Sequence, residues 1–465
     1  MNINPNIFKA YDLRGIYPKD INEETIVVIT KAIYQFFLQK LQKDSLSVVL
    51  GRDMRTSTPQ LFEIVKTTLM EHGAEVVDGG LLSTPSFYYA TLNYGYDTGI
   101  MITASHNPKE WNGLKFVIRQ DKHLLKIGKP TGMEDVKELA VVGEFKLAKK
   151  QGSLKQLDSA IKDEVESAIK TVGLEKIKDF KIVTDTANGM AITYLDEFFS
   201  HFPAQVIKMN DKLDGTFPAH EANPLKFETL KDLQEEVLEE QADFGIAPDA
   251  DGDRIFFIDE KGEVIPATMI TSMIADEILS EMPTESIIVD IRYLRNVQQV
   301  VKRFNAPCLI TKVGHAFITE MMIKEGSFFA GESSGHFFFR STGGAESSVM
   351  VLAYLLKIIQ KKNKPLSEIV KEYHTSYESG EFNFKLSPSE DVKKVLEQFA
   401  QSHKEGERSD LDGLSISYPN WRFNIRTSNT EPLMRLNIEA ESESLMQEKL
   451  KELLATFQAL GAEKE

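Results

Sequence analysis

The segment "LSVVLGRD" (46–53) runs through β-branched and apolar residues into Gly, Arg and Asp, and then passes into a helical pattern. A short apolar run bounded by turn residues reads as a buried strand. The same arrangement returns at "FKIVTDTANG" (180–189) and "SIIVDIR" (286–292). About 25 residues after each comes a second short apolar run: "AEVVDGG" (74–80), "AQVIKMND" (204–211) and "PCLITKVGH" (307–315). This is the spacing of a strand, helix, strand unit with parallel strands. Units about a hundred residues apart predict three copies of one α/β domain, a period too long for a solenoid. The alternative is three unrelated crossovers of a common kind.

The C-terminal portion differs. "DVKKVLEQFAQ" (391–401) is helical, "GLSISYPNWRFNIRTSNTEPLMRLNIEAES" (413–442) alternates like antiparallel strands around a turn, and "LMQEKLKELLATFQAL" (445–460) closes as a helix. That pattern predicts a small α+β domain. Gly, Ser and charge interrupt the apolar pattern near "KKQGSLKQ" (149–156), "DEKGEVIP" (259–266) and "HTSYESGE" (374–381). The expected domains are therefore 1–150, 151–260, 261–375 and 376–465.

A chain of 465 residues exceeds what one core organises. Hydrophobic content of 42% and charged content of 27% are ordinary for soluble proteins. No segment approaches the roughly 20 apolar residues of a membrane span. The opening "MNINPNIFKAYDLRG" lacks a basic stretch followed by an apolar one, and a single cysteine, Cys308, excludes an intramolecular disulfide, so a cytoplasmic location is expected. A formal charge of −16 argues against nucleic acid as a partner. It leaves room for phosphorylated small molecules held locally by arginines, lysines and backbone amides.

Five stretches carry chemistry. In "GIMITASHNPKEWNG" (99–113) an apolar strand ends in Thr103, Ser105, His106 and Asn107 and is arrested by Pro108. This is either a turn satisfying its own backbone or a loop built around a reacting group. "DFGIAPDADGDRIFFID" (243–259) places Asp249, Asp251 and Asp253 at alternate positions, an oxygen-only set suited to a hard divalent cation, with Arg254 beside it for phosphate. An EF-hand would want Gly where Arg254 stands and helices on both sides. A haloacid-dehalogenase-type phosphatase would use Asp249 as nucleophile, and a solvated acidic turn is the plainest alternative. "AGESSGHFFFR" (330–340) presents Glu332, Ser333, Ser334 and His336 on an accessible backbone, as recognition of vicinal sugar hydroxyls requires. The competing reading is a simple Gly/Ser turn. "TKVGHAF" (311–317) sets Lys312 and His315 at a strand end, where parallel sheets place ligands. "RTSNTEP" (426–432) is either a phosphate cradle around Arg426 or a hairpin turn with a surface arginine.

Taken in order and spacing, "TASHNP", "DADGDR", "GESSGH" and "RTSNTEP" resemble the four signature loops of the α-D-phosphohexomutase superfamily, and "FKAYDLRG" (8–15), "GRDMRTS" (51–57) and "NGLKF" (112–116) fit as well. The resemblance covers nearly the whole chain and is greatest to the bacterial phosphomannomutase/phosphoglucomutase branch. It implies three similar α/β domains with mixed sheets plus a C-terminal α+β domain, arranged around a central cleft. It implies a phosphoserine at Ser105 and Mg²⁺ held by Asp249, Asp251, Asp253 and an oxygen of phosphoserine 105. Glu332 and Ser334 would contact the sugar, and Arg426, Ser428, Asn429 and Thr430 the distal phosphate, with Tyr11 and Lys312 as further substrate contacts. Arg14, Lys115 and Arg254 would surround the phosphoryl group, with Lys115, His315 and His336 as candidate general bases. His106 and Asn107 are expected to shape the loop.

The implied reaction moves phosphate between C1 and C6 of a hexose phosphate, of mannose, glucose or both, through a 1,6-bisphosphate. Glucose 1,6-bisphosphate or mannose 1,6-bisphosphate would be the activator. One departure is Ser333, where the mannose/glucose branch usually carries Met and phosphoglucosamine mutases usually carry Gln, so glucosamine phosphate stands as the alternative substrate. A metal-dependent phosphatase and a non-catalytic calcium-binding module are the alternatives of other classes. The protein is expected to be a monomer or dimer with a small-molecule partner, and to bind neither nucleic acid nor membrane.

Overall fold

A computed structural model describes residues 3–145, 148, 150–386, 392–427 and 433–464. Four sheets follow one another along the chain. The first contains the strands Ser47–Arg52, Glu75–Leu81, Thr98–Ile102 and Trp111–Gln120; the second Lys181–Asp185, Gln205–Met209, Phe244–Pro248 and Ile255–Asp259; the third Ile287–Asp290, Cys308–Thr311, Phe329–Gly331 and Phe337–Phe339. In each, these four strands lie in the spatial order fourth, third, first, second. The first three are parallel and the fourth turns back antiparallel on the third. The expected threefold repetition and the mixed sheets are thus present, and the three copies share one topology. The fourth sheet is antiparallel, built around Trp421–Thr427 and Met434–Ala440, with the helices Val392–Ser402 and Glu443–Ala459 as the other elements of this α+β unit.

The apolar cores do not divide as evenly as the sheets. The first and fourth units have their own cores, but the second and third share one, because the helix Ser348–Lys362 is buried along most of its length and packs on both Ala160–Val172 and Ala267–Glu281. Two short edge strands also fall beyond expected boundaries. Ser153–Gln156 pairs with Glu75–Leu81 in the first sheet, and Val264–Ile265 pairs with Ile255–Asp259 in the second. Backbone pairing at a sheet edge, which Gly and charge in the sequence do not prevent, draws these residues into the preceding sheet. No helix among the described residues is long and apolar enough to cross a membrane.

Candidate active site

The three inner loops singled out by sequence occupy one and the same place in the repeat. Each joins the third strand to the antiparallel fourth: residues 103–110 in the first unit, 249–254 in the second and 332–336 in the third. They meet one another directly. Arg254 and His336 pair as an isolated β-bridge, and Ile255 N–H donates to Gly335 O at 3.1 Å. The Asp loop is fully buried between two strands, which removes both the solvated-turn reading and the helix-flanked EF-hand.

Ser105 is buried and holds φ +50°, a left-handed conformation that costs a non-glycine residue energy and persists only where the surroundings impose it. Those surroundings are Thr103, whose Oγ1 accepts from Ser105 N–H at 2.9 Å, and Arg55. The Arg55 guanidinium has no exposed surface and donates to the carbonyls of Ser105 (2.6 Å), Asn107 (2.6 Å), Pro108 (2.7 Å) and Trp111 (3.1 Å). Arg14 adds bonds to Ala104 O (3.2 Å) and Asn107 Oδ1 (2.5 Å), so Asn107 does shape the loop. Ser105 Oγ lies 3.2 Å from Asp249 Oδ2 and 3.2 Å from His106 Nδ1. Burial and the nearby Arg254 and Arg14 charges keep His106 well below its ordinary pKa.

Asp249, Asp251 and Asp253 each present a carboxylate oxygen within 4.8 Å of the others, and all three side chains are buried. Lys115 Nζ reaches two of them, Asp251 at 2.7 Å and Asp253 at 2.5 Å. Thr84 supports Asp251 twice: Oγ1 donates to Oδ2 at 2.6 Å and the backbone N–H donates to Asp251 O at 2.9 Å. Asp251 Oδ1 is buried without a hydrogen bond. Burial, with the charges of Asp253 and Asp251, pushes the Asp249 carboxyl up to about 8. Burial also opposes the ionisation of Asp253, but Lys115 and His336 hold it well below the usual carboxylate range. An all-carboxylate set with an orphaned buried oxygen fits a hard divalent cation of the Mg²⁺ kind.

His336 links this set to the sugar-type loop, with Nε2 3.2 Å from Asp253 Oδ1 and Nδ1 2.6 Å from Glu332 Oε2. Burial works against its charge, but Asp253 and Glu332 raise its pKa to about 9. Ser334 Oγ lies 3.2 Å from the same Nδ1. Ser333 faces the other way: its N–H and Oγ donate to Asp290 Oδ2 at 2.6 and 2.8 Å. His315, at the start of a helix, is kept neutral by burial and by the Lys126 and Lys115 charges, and its Nδ1 has no hydrogen bond. The Tyr11 ring packs edge-on to His315 at 5.2 Å, and its hydroxyl donates to Val313 O at 2.8 Å.

Arg426 in the fourth unit is buried and donates to Glu381 Oε2 at 2.6 Å. Arg435 also reaches Glu381 (3.2 Å), as does Arg292 (3.9 Å), and Arg292 lies 3.5 Å from Glu332. Charged contacts therefore run without interruption from Ser105 through the Asp triad, His336, Glu332, Arg292 and Glu381 to Arg426, across all four units. Lys312 is exposed, with Nζ 5.6 Å from the Phe317 ring centre. Ser428, Asn429 and Thr430 lie outside the described residues.

Sequence reasoning missed Arg55, Thr84, Arg292 and Glu381. The arginines did leave a trace, since Asp53-x-Arg55 and Asp290-x-Arg292 repeat the Asp12-x-Arg14 spacing.

Three repeated α/β sheets and an antiparallel fourth, with a strained serine beside a carboxylate triad and arginines on both flanks, form the framework of a sugar-phosphate mutase. Family models for phosphoglucomutase/phosphomannomutase match in succession: alpha/beta/alpha domain I at 5–127, domain II at 162–262, domain III at 266–377 and the C-terminal domain at 381–455. The chain is 35% identical to the phosphomannomutase of Methanocaldococcus jannaschii over 459 residues, 98% of either protein. It is also 35% identical to a phosphomannomutase of Escherichia coli over 461 residues, 96% of this chain and 98% of that protein. A crystal structure of a phosphoglucomutase/phosphomannomutase family protein from Burkholderia thailandensis superposes with TM-score 0.86 at 28% identity, covering 99% of this chain and 98% of that one. The protein belongs to the phosphoglucomutase/phosphomannomutase family.

Proposed function

We propose that the protein moves phosphate reversibly between C1 and C6 of a hexose phosphate, mannose or glucose, with Ser105 as phosphoryl carrier. The observation that supports this most is the unbroken charged path from Ser105 to Arg426. One end offers a hydroxyl beside a carboxylate triad, and the other a buried arginine, so a sugar phosphate laid between them has a reacting group and a distal anchor. Glu332 and Ser334 face the sugar in this reading, and Arg426, with Ser428, Asn429 and Thr430, takes the phosphate that is not reacting. Ser333 spends its hydroxyl on Asp290, which leaves no side chain there to discriminate at C2 and favours use of both sugars.

Asp249, Asp251 and Asp253, with an oxygen of phosphoserine 105, would hold Mg²⁺, which when bound neutralises charge on the phosphoryl oxygens. Arg14, Lys115 and Arg254 add positive charge on the remaining sides. The sugar hydroxyl oxygen bonds to phosphorus as the Ser105 Oγ–P bond breaks, and the electron pair goes to Oγ. His315 is the chosen acceptor of the hydroxyl proton, because it is neutral and its Nδ1, 3.9 Å from Glu346 Oε1, makes no hydrogen bond. The 1,6-bisphosphate then turns and returns its other phosphate to Ser105, which explains why a bisphosphate would activate the unphosphorylated enzyme. The net charge and single cysteine favour a cytoplasmic setting without a nucleic-acid partner. The division into units at about 150, 260 and 375 belongs to this proposal, with the edge strands noted above assigned to the preceding sheets.

The test is the intact mass of the protein before and after excess glucose 1,6-bisphosphate, with mapping of the modified peptide. A single hydroxylamine-stable phosphate on Ser105, and loss of transfer by at least about a thousandfold in Ser105→Ala with the fold retained, is expected. No phosphate, or a hydroxylamine-labile one on Asp249, overturns the mechanism in favour of an aspartate-based phosphatase.

A further inference from the structure

Where the first three units meet lies a small pocket of about 30 Å³, partly open to solvent. It is walled by the helices Thr84–Asn93 and Ala160–Val172 and by residues 341–350, and it lies outside the charged path described above. Its walls are rich in neutral oxygens, among them Ser167, Thr171, Ser341, Thr342 and Ser347. One charged group is left over. Glu164 is 4% exposed and lines the cavity. Its Oε2 accepts from Ser86 Oγ at 2.5 Å, and its Oε1 is buried with no hydrogen bond. No cationic side chain among the described residues offsets it, and burial alone pushes its carboxyl up to about 7. The other acid at the cavity, Glu346, is already paired with buried Lys126.

A buried carboxylate without a counter-ion is costly, and proteins meet that cost by pairing it, by binding a cation or by taking up a proton. We propose that this cavity is a binding site for one monovalent alkali cation, Na⁺ or K⁺, held by Glu164 and the surrounding hydroxyl oxygens. A single uncompensated negative charge among neutral oxygens matches one positive charge. The volume of about 30 Å³ is enough for an ion or a water. Uptake of a proton is the competing way to neutralise Glu164, and measurement at about pH 8.5 sets it aside.

The site reaches the metal loop through a short relay. Ser86 Oγ also lies 2.8 Å from Ser83 Oγ, the N-cap of the helix whose first residue, Thr84, supports Asp251. An ion at Glu164 therefore fixes the junction on which the Asp loop rests. The experiment is thermal unfolding of the full-length protein at about pH 8.5 in about 0.1 M NaCl, KCl or tetramethylammonium chloride, wild type against Glu164→Gln. One alkali cation should raise the wild-type Tm by about 2 °C or more over tetramethylammonium, and the increment should vanish in the variant. A wild-type Tm indifferent to the cation, as protonation or water would give, overturns the proposal, as does an equal increment in the variant. Thallium(I)-soaked wild-type crystals test it without a variant: an anomalous peak at the Glu164 carboxylate supports the site, and its absence overturns it.

Discussion

Three arginines of the site are set by the same residue-scale device, an aspartate two positions earlier, which for Arg55 and Arg292 also accepts the arginine's own backbone N–H in an Asx turn just past a strand end. Asp12 Oδ2 accepts from Arg14 Nε at 2.8 Å, Asp53 Oδ2 from Arg55 Nε at 3.1 Å and Asp290 Oδ1 from Arg292 Nε at 2.8 Å. The carboxylate fixes one edge of the guanidinium and leaves the other edge to reach a loop. For Arg55 that loop is the one carrying Ser105, and four carbonyls depend on a single fork. Arg55→Ala should cost about 3 to 5 kcal/mol in chemical denaturation, because it strands Asp53 as a buried unpaired charge and frees the loop. Thr84→Val makes a different cut. It keeps the volume and removes one hydrogen bond to Asp251, so the Mg²⁺ concentration for half-maximal activity should rise about 10- to 100-fold while Tm changes little.

At the scale of the element, the decisive unit is the hairpin of third and fourth strands. In the first unit Trp111–Gln120 is paired on both sides, with Leu13–Ile16 and with Thr98–Ile102. Gly113 sits at the tightest point, where a Cβ would stand 2.0 Å from Leu13 O and 3.0 Å from Thr103 O. Gly113→Ala should therefore destabilise by about 1 to 3 kcal/mol and also lower kcat, since Lys115 lies two residues on along the same face; denaturant midpoints and steady-state rates read the two effects separately. The first and second strands of every repeat were legible because they are short β-branched runs bounded by turn residues. The shared hairpin was not, because the fourth strands have 10, 5 and 3 residues and show no common local pattern. The site divides in the same way. Ser105, the Asp triad, Glu332 and His336 lie in loops whose own residues announce a ligand. Thr84 acts on a partner 167 residues away, and Glu381 matters only because Arg426, Arg435 and Arg292 come to it. Such partnerships are created by tertiary packing and leave no spacing in the chain.

At the scale of the molecule, the units are joined in two ways. The second and third share an apolar core, whereas the fourth meets the third through polar groups. Glu439 accepts from the N–H groups of Leu294 (2.7 Å) and Arg295 (3.0 Å) and from Arg422 Nη1 (3.1 Å), and Asn437 Nδ2 donates to Tyr293 OH at 2.9 Å. Glu378 lies in the same junction, accepting from Thr268 Oγ1 and, at 3.4 Å, from Asn296 Nδ2. Burial, with the charges of Glu439 and Asp290, pushes its carboxyl up to about 8. The unfolded chain releases this proton near the ordinary glutamate value of about 4.3. The native state thus holds the proton more tightly, so the contribution of Glu378 to stability is full at low pH, declines as pH rises above that value, and is lost once pH passes about 8. Glu378→Gln keeps an acceptor for Thr268 and carries no charge at any pH. Its Tm should exceed that of the wild type at about pH 9, and the difference should narrow steadily toward pH 5. A calorimetric series across that range, resolving whether the fourth unit melts ahead of the rest, locates the effect at the junction. A Tm difference that did not vary with pH would show that the Glu378 carboxyl is already ionised in the native junction throughout.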